Sequence, residues 1–88
     1  MRTRKFDSSG YITDSNNPTL YQVKLTLEDE DDELTIYDND SGEDDETEIA
    51  FLDKTNPSID FFPKGQVCHK GLYAELLGEG SFYVTWDD

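Results

Sequence analysis

Short segments in which apolar and polar residues alternate run along this sequence, and turn-forming residues separate them about every 8–12 positions. The alternation is clearest in LYQVKLTLE and SFYVTWDD. The apolar positions of these two segments are Tyr21, Val23, Leu25, Leu27, Phe82, Val84 and Trp86. A period of two places such side chains on one face of a half-buried strand. The pattern predicts an all-β fold, a small antiparallel β-sandwich of about seven short strands.

Three further predictions concern individual strands. TEIAFLDK is apolar on both faces, which indicates a strand that is covered on both sides. GLYAELLG alternates as a strand, and although AELL contains strong helix formers, the segment is too short for a stable helix without tertiary contacts. We expect residues 72–77 and 82–86 to pair as a C-terminal hairpin with Trp86 buried in its core.

The chain has the length of one domain, 88 residues. At this size only about 60–65% of the surface of the unfolded chain is buried on folding, so the core must be thin. Residues 1–19 are polar and rich in turn formers, which predicts a flexible N-terminal arm with a possible edge strand. Residues 20–88 are expected to form the single β-sandwich domain.

Acidic residues are concentrated in the middle of the chain. Between Glu28 and Glu48 there are 13 carboxylates and no Lys or Arg, whereas the rest of the chain holds 8 acidic and 7 basic residues. The net charge of −14 is therefore local. Because carboxylates are costly to bury without partners, we expect two solvated turns on either side of a core strand that contains LTIY. The residues predicted for this acidic surface are Glu28, Asp29, Glu30, Asp31, Asp32, Glu33, Asp38, Asp40, Glu43, Asp44, Asp45, Glu46 and Glu48.

The segment DNDSGEDDETE has the closely spaced carboxylates of a calcium loop, but its register does not fit. Counted from Asp38, the glycine is fifth rather than sixth, and the twelfth residue is Ile49 rather than Glu. We favour a solvated acidic loop, and a loose, weak cation site is the alternative. We predict no metal and no cofactor.

Nucleophilic catalysis by the single cysteine and the single histidine is not expected. Cys68 and His69 are adjacent in the sequence, so on a strand their side chains point to opposite faces and do not converge. One cysteine also excludes an internal disulfide. Neither a phosphate-binding glycine loop nor a marked acid–base pair occurs, and we predict that the protein is not an enzyme.

Partner contacts are expected at the basic N-terminus and at tyrosines on the strands. The candidate residues are Arg2, Arg4, Lys5, Tyr11, Tyr21 and Tyr37. The RTRK segment could contact phosphates, but the acidic balance of the chain disfavours nucleic-acid binding. No apolar run is long enough to suggest a membrane span, so we expect a soluble chain with no membrane partner.

The second half of the chain resembles small β-sandwich structural proteins encoded in the structural gene clusters of tailed viruses. The resemblance lies in a strand of the LTIYDNDSG type, a further strand like EIAFLD, and IDFFPKGQVCHKGLYAELLGEGSFYVTWDD, and covers residues 34–88. It implies a subunit of head-decoration, head-fibre or tail-associated type, located in the virion and made as a soluble protein in the host cytoplasm. The implied partners are a larger shell protein and further copies of the same chain.

Two functions remain in competition. The first is a structural subunit that docks on a capsid or tail lattice with its acidic loops facing solvent. The second is an inhibitor that mimics nucleic acid and occupies the basic groove of a nuclease or DNA-binding defence protein. Mimicry requires charges held on a rigid surface, and mobile acidic turns would not provide one, so we favour the structural role.

Overall fold

The computed structural model describes residues 1–13, 15, 17–39 and 47–88, which form nine β-strands and no helix. The strands are β1 (Arg2–Phe6), β2 (Gly10–Thr13), β3 (Thr19–Thr26), β4 (Glu33–Tyr37), β5 (Glu48–Leu52), β6 (Ser58–Asp60), β7 (Gln66–Val67), β8 (Leu72–Leu77) and β9 (Ser81–Asp87). The prediction of an all-β chain is confirmed, with two more strands than expected.

The strands form two antiparallel sheets. Sheet A has the order β1-β9-β3-β6, and β7 also pairs with β3. Sheet B has the order β2-β8-β4-β5. The arrangement is a small β-sandwich, as the alternation predicted.

The core lies between the inner faces of the sheets and is built from the alternating apolar residues. Its buried side chains are Ile12, Leu20, Val23, Leu25, Leu34, Ile36, Ala50, Leu52, Cys68, Leu72, Ala74, Leu76, Phe82, Val84 and Trp86. Trp86 is buried as predicted, with 3% of its surface exposed. Phe6 stacks on Phe82 with ring centroids 5.3 Å apart and extends the aromatic part of the core toward β1.

A β-bulge in β3 corrects the predicted orientation of Tyr21. Leu20 pairs with Trp86 whereas Gln22 pairs with Thr85, so the intervening residue has no direct partner on β9. The bulge shifts the alternation by one position, and the buried residue is Leu20. The ring of Tyr21 stacks instead on that of Phe62, with centroids 5.2 Å apart.

Two paired strands lie in residues 1–19, where the sequence predicted an arm with a possible edge strand. β1 pairs with β9 along its whole length, from Arg2 opposite Trp86 to Phe6 opposite Phe82. β2 pairs with β8 at the edge of the other sheet. The polar composition of this segment did not show that Phe6 and Ile12 attach it to the core.

The predicted C-terminal hairpin is wrong. β8 lies in sheet B and β9 in sheet A, so the turn at residues 78–80 crosses from one sheet to the other. Both strands bury an apolar face. The two faces pack against each other across the sandwich, which they could not do as neighbouring strands of one sheet. β5 also differs from its prediction: it is an edge strand, and Phe51 on its outer face is 42% exposed.

Candidate partner-binding surfaces

Three tyrosines form a row across the outer face of sheet B. Tyr11 pairs with Tyr73 between β2 and β8, and Tyr73 pairs with Tyr37 between β8 and β4. The ring centroids of Tyr11 and Tyr73 are 5.0 Å apart in an edge-on arrangement, and those of Tyr73 and Tyr37 are 6.4 Å apart. Because directly opposed residues share a face of the sheet, the three rings form one continuous aromatic strip, the tyrosine row.

The exposure of the tyrosines falls across the row. Tyr11 at the edge is 48% exposed, Tyr73 is half-buried, and Tyr37 is only 4% exposed. Tyr37 was predicted as a partner-binding residue, and its burial corrects that prediction. Tyr21, another candidate, lies on β3 of sheet A and is separate from the row.

Two exposed apolar side chains extend this surface. Phe51 is opposite Thr35, and Leu77 is opposite Glu33, so both lie on the outer face of sheet B; Leu77 is 51% exposed. The sequence prediction missed both residues. The signal for Phe51 was present in TEIAFLDK, which is apolar on both faces. The second apolar face of this strand lies on the protein surface and is not covered by another layer of the described residues.

Basic side chains are found on β1 and on the outer face of sheet A. Lys5 and Lys24 lie on either side of Tyr83, since both pair with it in the register of the sheet, and all three are exposed. Arg4 lies over the ring of Phe6, 5.3 Å from its centroid, and Arg2 forms an ion pair of 3.1 Å with Asp88. Arg2, Arg4 and Lys5 are all exposed, and they belong to a strand rather than to a flexible arm.

The turn between β3 and β4 carries the first acidic cluster, and Asp32 is its buried member. Asp32 was predicted on the acidic surface, yet it is 1% exposed. Its Oδ2 accepts hydrogen bonds from the backbone N–H of Glu28 at 2.8 Å and of Asp29 at 3.1 Å, and its Oδ1 accepts one from Glu79 at 3.2 Å. This carboxylate therefore joins the β3–β4 turn to the β8–β9 turn.

The backbone hydrogen bonds from Glu28 and Asp29 lower the pKa of Asp32, because they stabilise the carboxylate form, and burial opposes them. Two glycines make room for the carboxylate. A Cβ on Gly78 would lie 1.8 Å from Oδ1 of Asp32, and one on Gly80 would lie 2.9 Å from Oδ2. Glu28, Asp29, Glu30 and Asp31 remain exposed on a turn whose backbone is held in place.

The second acidic cluster is described only in part. Asp38 accepts hydrogen bonds from the backbone N–H of His69 at 2.9 Å and of Lys70 at 2.8 Å, so it holds the segment between β7 and β8. Glu48 is exposed at the start of β5. The predicted surface residues Asp40, Glu43, Asp44, Asp45 and Glu46, and with them the weak cation site, lie outside the described residues.

A shallow cleft of about 260 Å³ lies beside the β3–β4 turn. Its lining residues are Glu30, Asp31, Glu33, Asp53 and Lys54. The ammonium of Lys54 is 3.8 Å from a carboxylate oxygen of Glu30. No group of three or more His, Cys, Asp or Glu side chains suited to a metal ion occurs in the described part of the chain. The cleft is an acidic, open surface feature.

Cys68 and His69 lie in separate environments, although they follow β7 and are not on a strand as the prediction assumed. Cys68 is fully buried in the core and His69 is exposed. Burial, and secondarily the charge of Asp38, raises the pKa of the Cys68 thiol to about 12. The thiolate is the reactive form of cysteine, so this thiol has the character of a core residue.

No protein-family model, curated protein or solved structure matches the chain. Among the residues that the structure describes, no helix has the length and apolar character needed to span a membrane.

Proposed function

We propose that this chain is a non-enzymatic structural subunit that docks on a larger virion shell protein through the outer face of sheet B. The observation that carries the proposal is the accessible part of the tyrosine row, Tyr11 and the half-buried Tyr73, together with the exposed side chains of Phe51 and Leu77. Tyrosine and phenylalanine are enriched at protein interfaces because they bury a large area at a small cost in side-chain entropy.

The rigidity of this face supports a docking role. Tyr11, Tyr73 and Phe51 stand on three strands of one sheet, so their relative positions are fixed by the backbone ladder before any partner arrives. A surface that is already ordered loses little conformational freedom on binding.

The charge of the same face indicates the chemistry of the partner. Glu33, Glu48 and Glu75 are paired with Leu77, Tyr37 and Thr35, so carboxylates lie beside the apolar side chains. A complementary surface offers apolar contacts to the aromatic rings and basic groups to these carboxylates. The virion as the location is what the resemblance to structural proteins of tailed viruses supports.

The test is binding of the purified chain to the shell protein encoded in the same gene cluster, measured by isothermal titration calorimetry. The variant Tyr11→Ser/Phe51→Ser removes two exposed rings of the docking face. We expect its Kd to rise at least about tenfold, the effect of losing roughly 1.4 kcal/mol at an interface. Tyr83→Ser is the matched control, because Tyr83 is 43% exposed on the outer face of the other sheet.

An unchanged Kd for the double variant, or an equal loss for the control, would rule out this docking face. Failure of the wild-type chain to bind the shell protein at all would reject the proposed function.

Mimicry of nucleic acid is the second candidate, and the buried carboxylate of Asp32 is the observation in its favour. Because Asp32 holds the β3–β4 turn, the exposed carboxylates of residues 28–31 stand on a fixed backbone, which mimicry requires. Four residues of one turn are a short substitute for a DNA strand, which carries one charge per about 3.4 Å of helix axis. Salt-sensitive binding to a basic nuclease that is lost in Glu28→Gln/Glu30→Gln/Asp31→Asn would support mimicry instead.

A further inference from the structure

We infer that copies of this chain associate side by side, with the edge formed by β1 and β2 in one copy against the edge formed by β5 and β6 in the next. We call these the β1–β2 edge and the β5–β6 edge. Three residues join β1 to β2, and β5 contacts β6, so each edge contains one strand of each sheet. The inference extends beyond docking on a shell and does not depend on it.

The strand directions permit this contact in both sheets at once. Each sheet has four main strands in antiparallel succession, so its first and last strands run in opposite directions. If a second copy lies alongside in the same orientation, its β6 is therefore antiparallel to β1 of the first copy. Its β5 is likewise antiparallel to β2 of the first copy. Among the described residues, no strand pairs with the outer side of any of these four strands.

The core is incompletely covered at both edges. Phe6 at the β1–β2 edge is half-buried, and so are Ile49, Ile59 and Phe61 at the β5–β6 edge. Contact between unlike edges would bring these apolar side chains together and continue the core from copy to copy. Burial of apolar area of this kind is the main favourable contribution to association.

The charges of the two edges are complementary. Arg4 and Lys5 are exposed on β1, whereas Asp60 and Glu48 are exposed on β6 and β5. Basic residues on an edge strand prevent pairing of two identical edges, because like charges would be opposed. The same basic residues favour contact with an acidic edge. The contact is therefore between the β1–β2 edge of one copy and the β5–β6 edge of the next.

One register satisfies both the charges and the apolar residues. If Lys5 lies opposite Asp60 of the second copy, antiparallel pairing places Phe6 opposite Ile59. Lys5 shares the outer face of sheet A with Tyr83, and Asp60 shares it with Gln22, so the charged pair would be solvent-facing. Phe6 and Ile59 both point to the inner face, where Phe82 and Val23 lie.

The experiment is sedimentation equilibrium of the purified chain over a wide concentration range at 20 mM and 500 mM NaCl, which are chosen to differ about fivefold in Debye length. We expect the mass of the wild type to rise with concentration and the association to weaken in high salt. Lys5→Glu and Asp60→Lys should each raise the dissociation constant about tenfold or more, since each opposes like charges.

An equimolar mixture of Lys5→Glu and Asp60→Lys should associate again, because each variant edge meets its opposite charge. Lys24→Glu is the control, since it makes the same charge change on the same sheet but on β3, which is not an edge strand. Asp60 also accepts a hydrogen bond from the N–H of Phe62, so circular dichroism must show a folded variant, and Lys5→Glu alone carries the test otherwise.

A wild type that stays monomeric at all concentrations would overturn the inference. So would a mixture that does not recover, or a control that weakens association as much as Lys5→Glu does. Docking is separable from this contact: Leu77→Ser, which alters the docking face on β8 away from the edge strands, should still self-associate, and Lys5→Glu should still bind the shell protein as single copies.

Discussion

Of the acidic residues on the β3–β4 turn, Asp32 contributes most to holding the turn in place. Its neighbours Asp31 and Glu30 are exposed, whereas its own carboxylate is buried and accepts backbone hydrogen bonds from both turns that it joins. A carboxylate that accepts several N–H groups is satisfied without a cationic partner. A run of six acidic residues thus contains one that orders the turn and several that stay in water.

The pH dependence of stability follows from this environment. The pKa of Asp32 is below its ordinary value of 3.8, so its contribution is fully present above that value and is lost as the pH falls through the folded-state pKa. Asp32→Asn should be less stable than wild type at neutral pH, because the amide N–H₂ would face backbone donors. The gap should begin to narrow below pH 3.8 and should close as the pH falls through the lower folded-state pKa, where native Asp32 becomes protonated.

Urea unfolding at pH 7 and at pH 2.5 measures both effects. Asp31→Asn is the matched control, since it removes the same charge from an exposed neighbour. If both variants lose the same stability at pH 7, the hydrogen bonds of Asp32 do not order the turn.

At the scale of the strand, β9 holds sheet A together. It lies between β1 and β3, and its inner face consists of Phe82, Val84 and Trp86, all buried. Trp86→Ala should lower the free energy of unfolding by about 3–5 kcal/mol, the range for large aromatic residues removed from a core. Chemical denaturation measures the change, and Tyr83→Ala on the outer face of the same strand is the reference. A loss for Trp86→Ala no larger than for Tyr83→Ala would contradict the core described here.

The strands of this sandwich could be predicted from sequence wherever alternation continued without interruption. Leu72–Leu77 and Ser81–Asp87 are strands with the expected buried faces, because a period of two is a local property that neighbouring residues determine. Tyr21 was assigned to the wrong face because a bulge changes the period at one residue, and the alternation on either side of it contains no signal of the shift.

The pairing of strands depends on partners that are distant in the sequence, and so does the burial of polar residues. The side chains of β8 and β9 are equally compatible with a hairpin and with a crossing between sheets, so local pattern could not separate the two. In the sequence Asp32 and Asp31 look alike, because both belong to one run of acidic residues. Only the hydrogen bonds from the backbone N–H groups of Glu28, Asp29 and Glu79 distinguish Asp32. The exposed rings of Tyr11 and Phe51 were recognisable as apolar positions but not as one surface.

At the scale of the whole molecule, the charge acts against the compact state. The net charge is −14 in a molecule with extents of 33 × 27 × 20 Å. Three ion pairs among the described residues, all at exposed or partly exposed side chains, offset little of this repulsion. The Debye length is about 10 Å at 0.1 M salt, so repulsion across the molecule is strong only at low ionic strength.

Salt should therefore stabilise the monomer. The Tm measured by calorimetry at low protein concentration should be higher in 500 mM NaCl than in 10 mM NaCl, because screening reduces self-repulsion. The variant Glu28→Gln/Glu30→Gln/Asp31→Asn, which keeps Asp32, should show a smaller salt effect. A Tm that falls as salt is added would mean that attractive pairs outweigh repulsion in this fold.

The pairing of β1 with β9 has a consequence for how the protein is made. Among the described residues β1 is hydrogen-bonded to β9 alone, and sheet A lacks its second strand until residues 81–87 have left the ribosome. The four strands of sheet B lie within residues 10–77, whereas β1 and β3 of sheet A are joined through β9. Folding of sheet A therefore follows the synthesis of residues 81–87, and until then the basic β1 segment is accessible to other molecules in the cell.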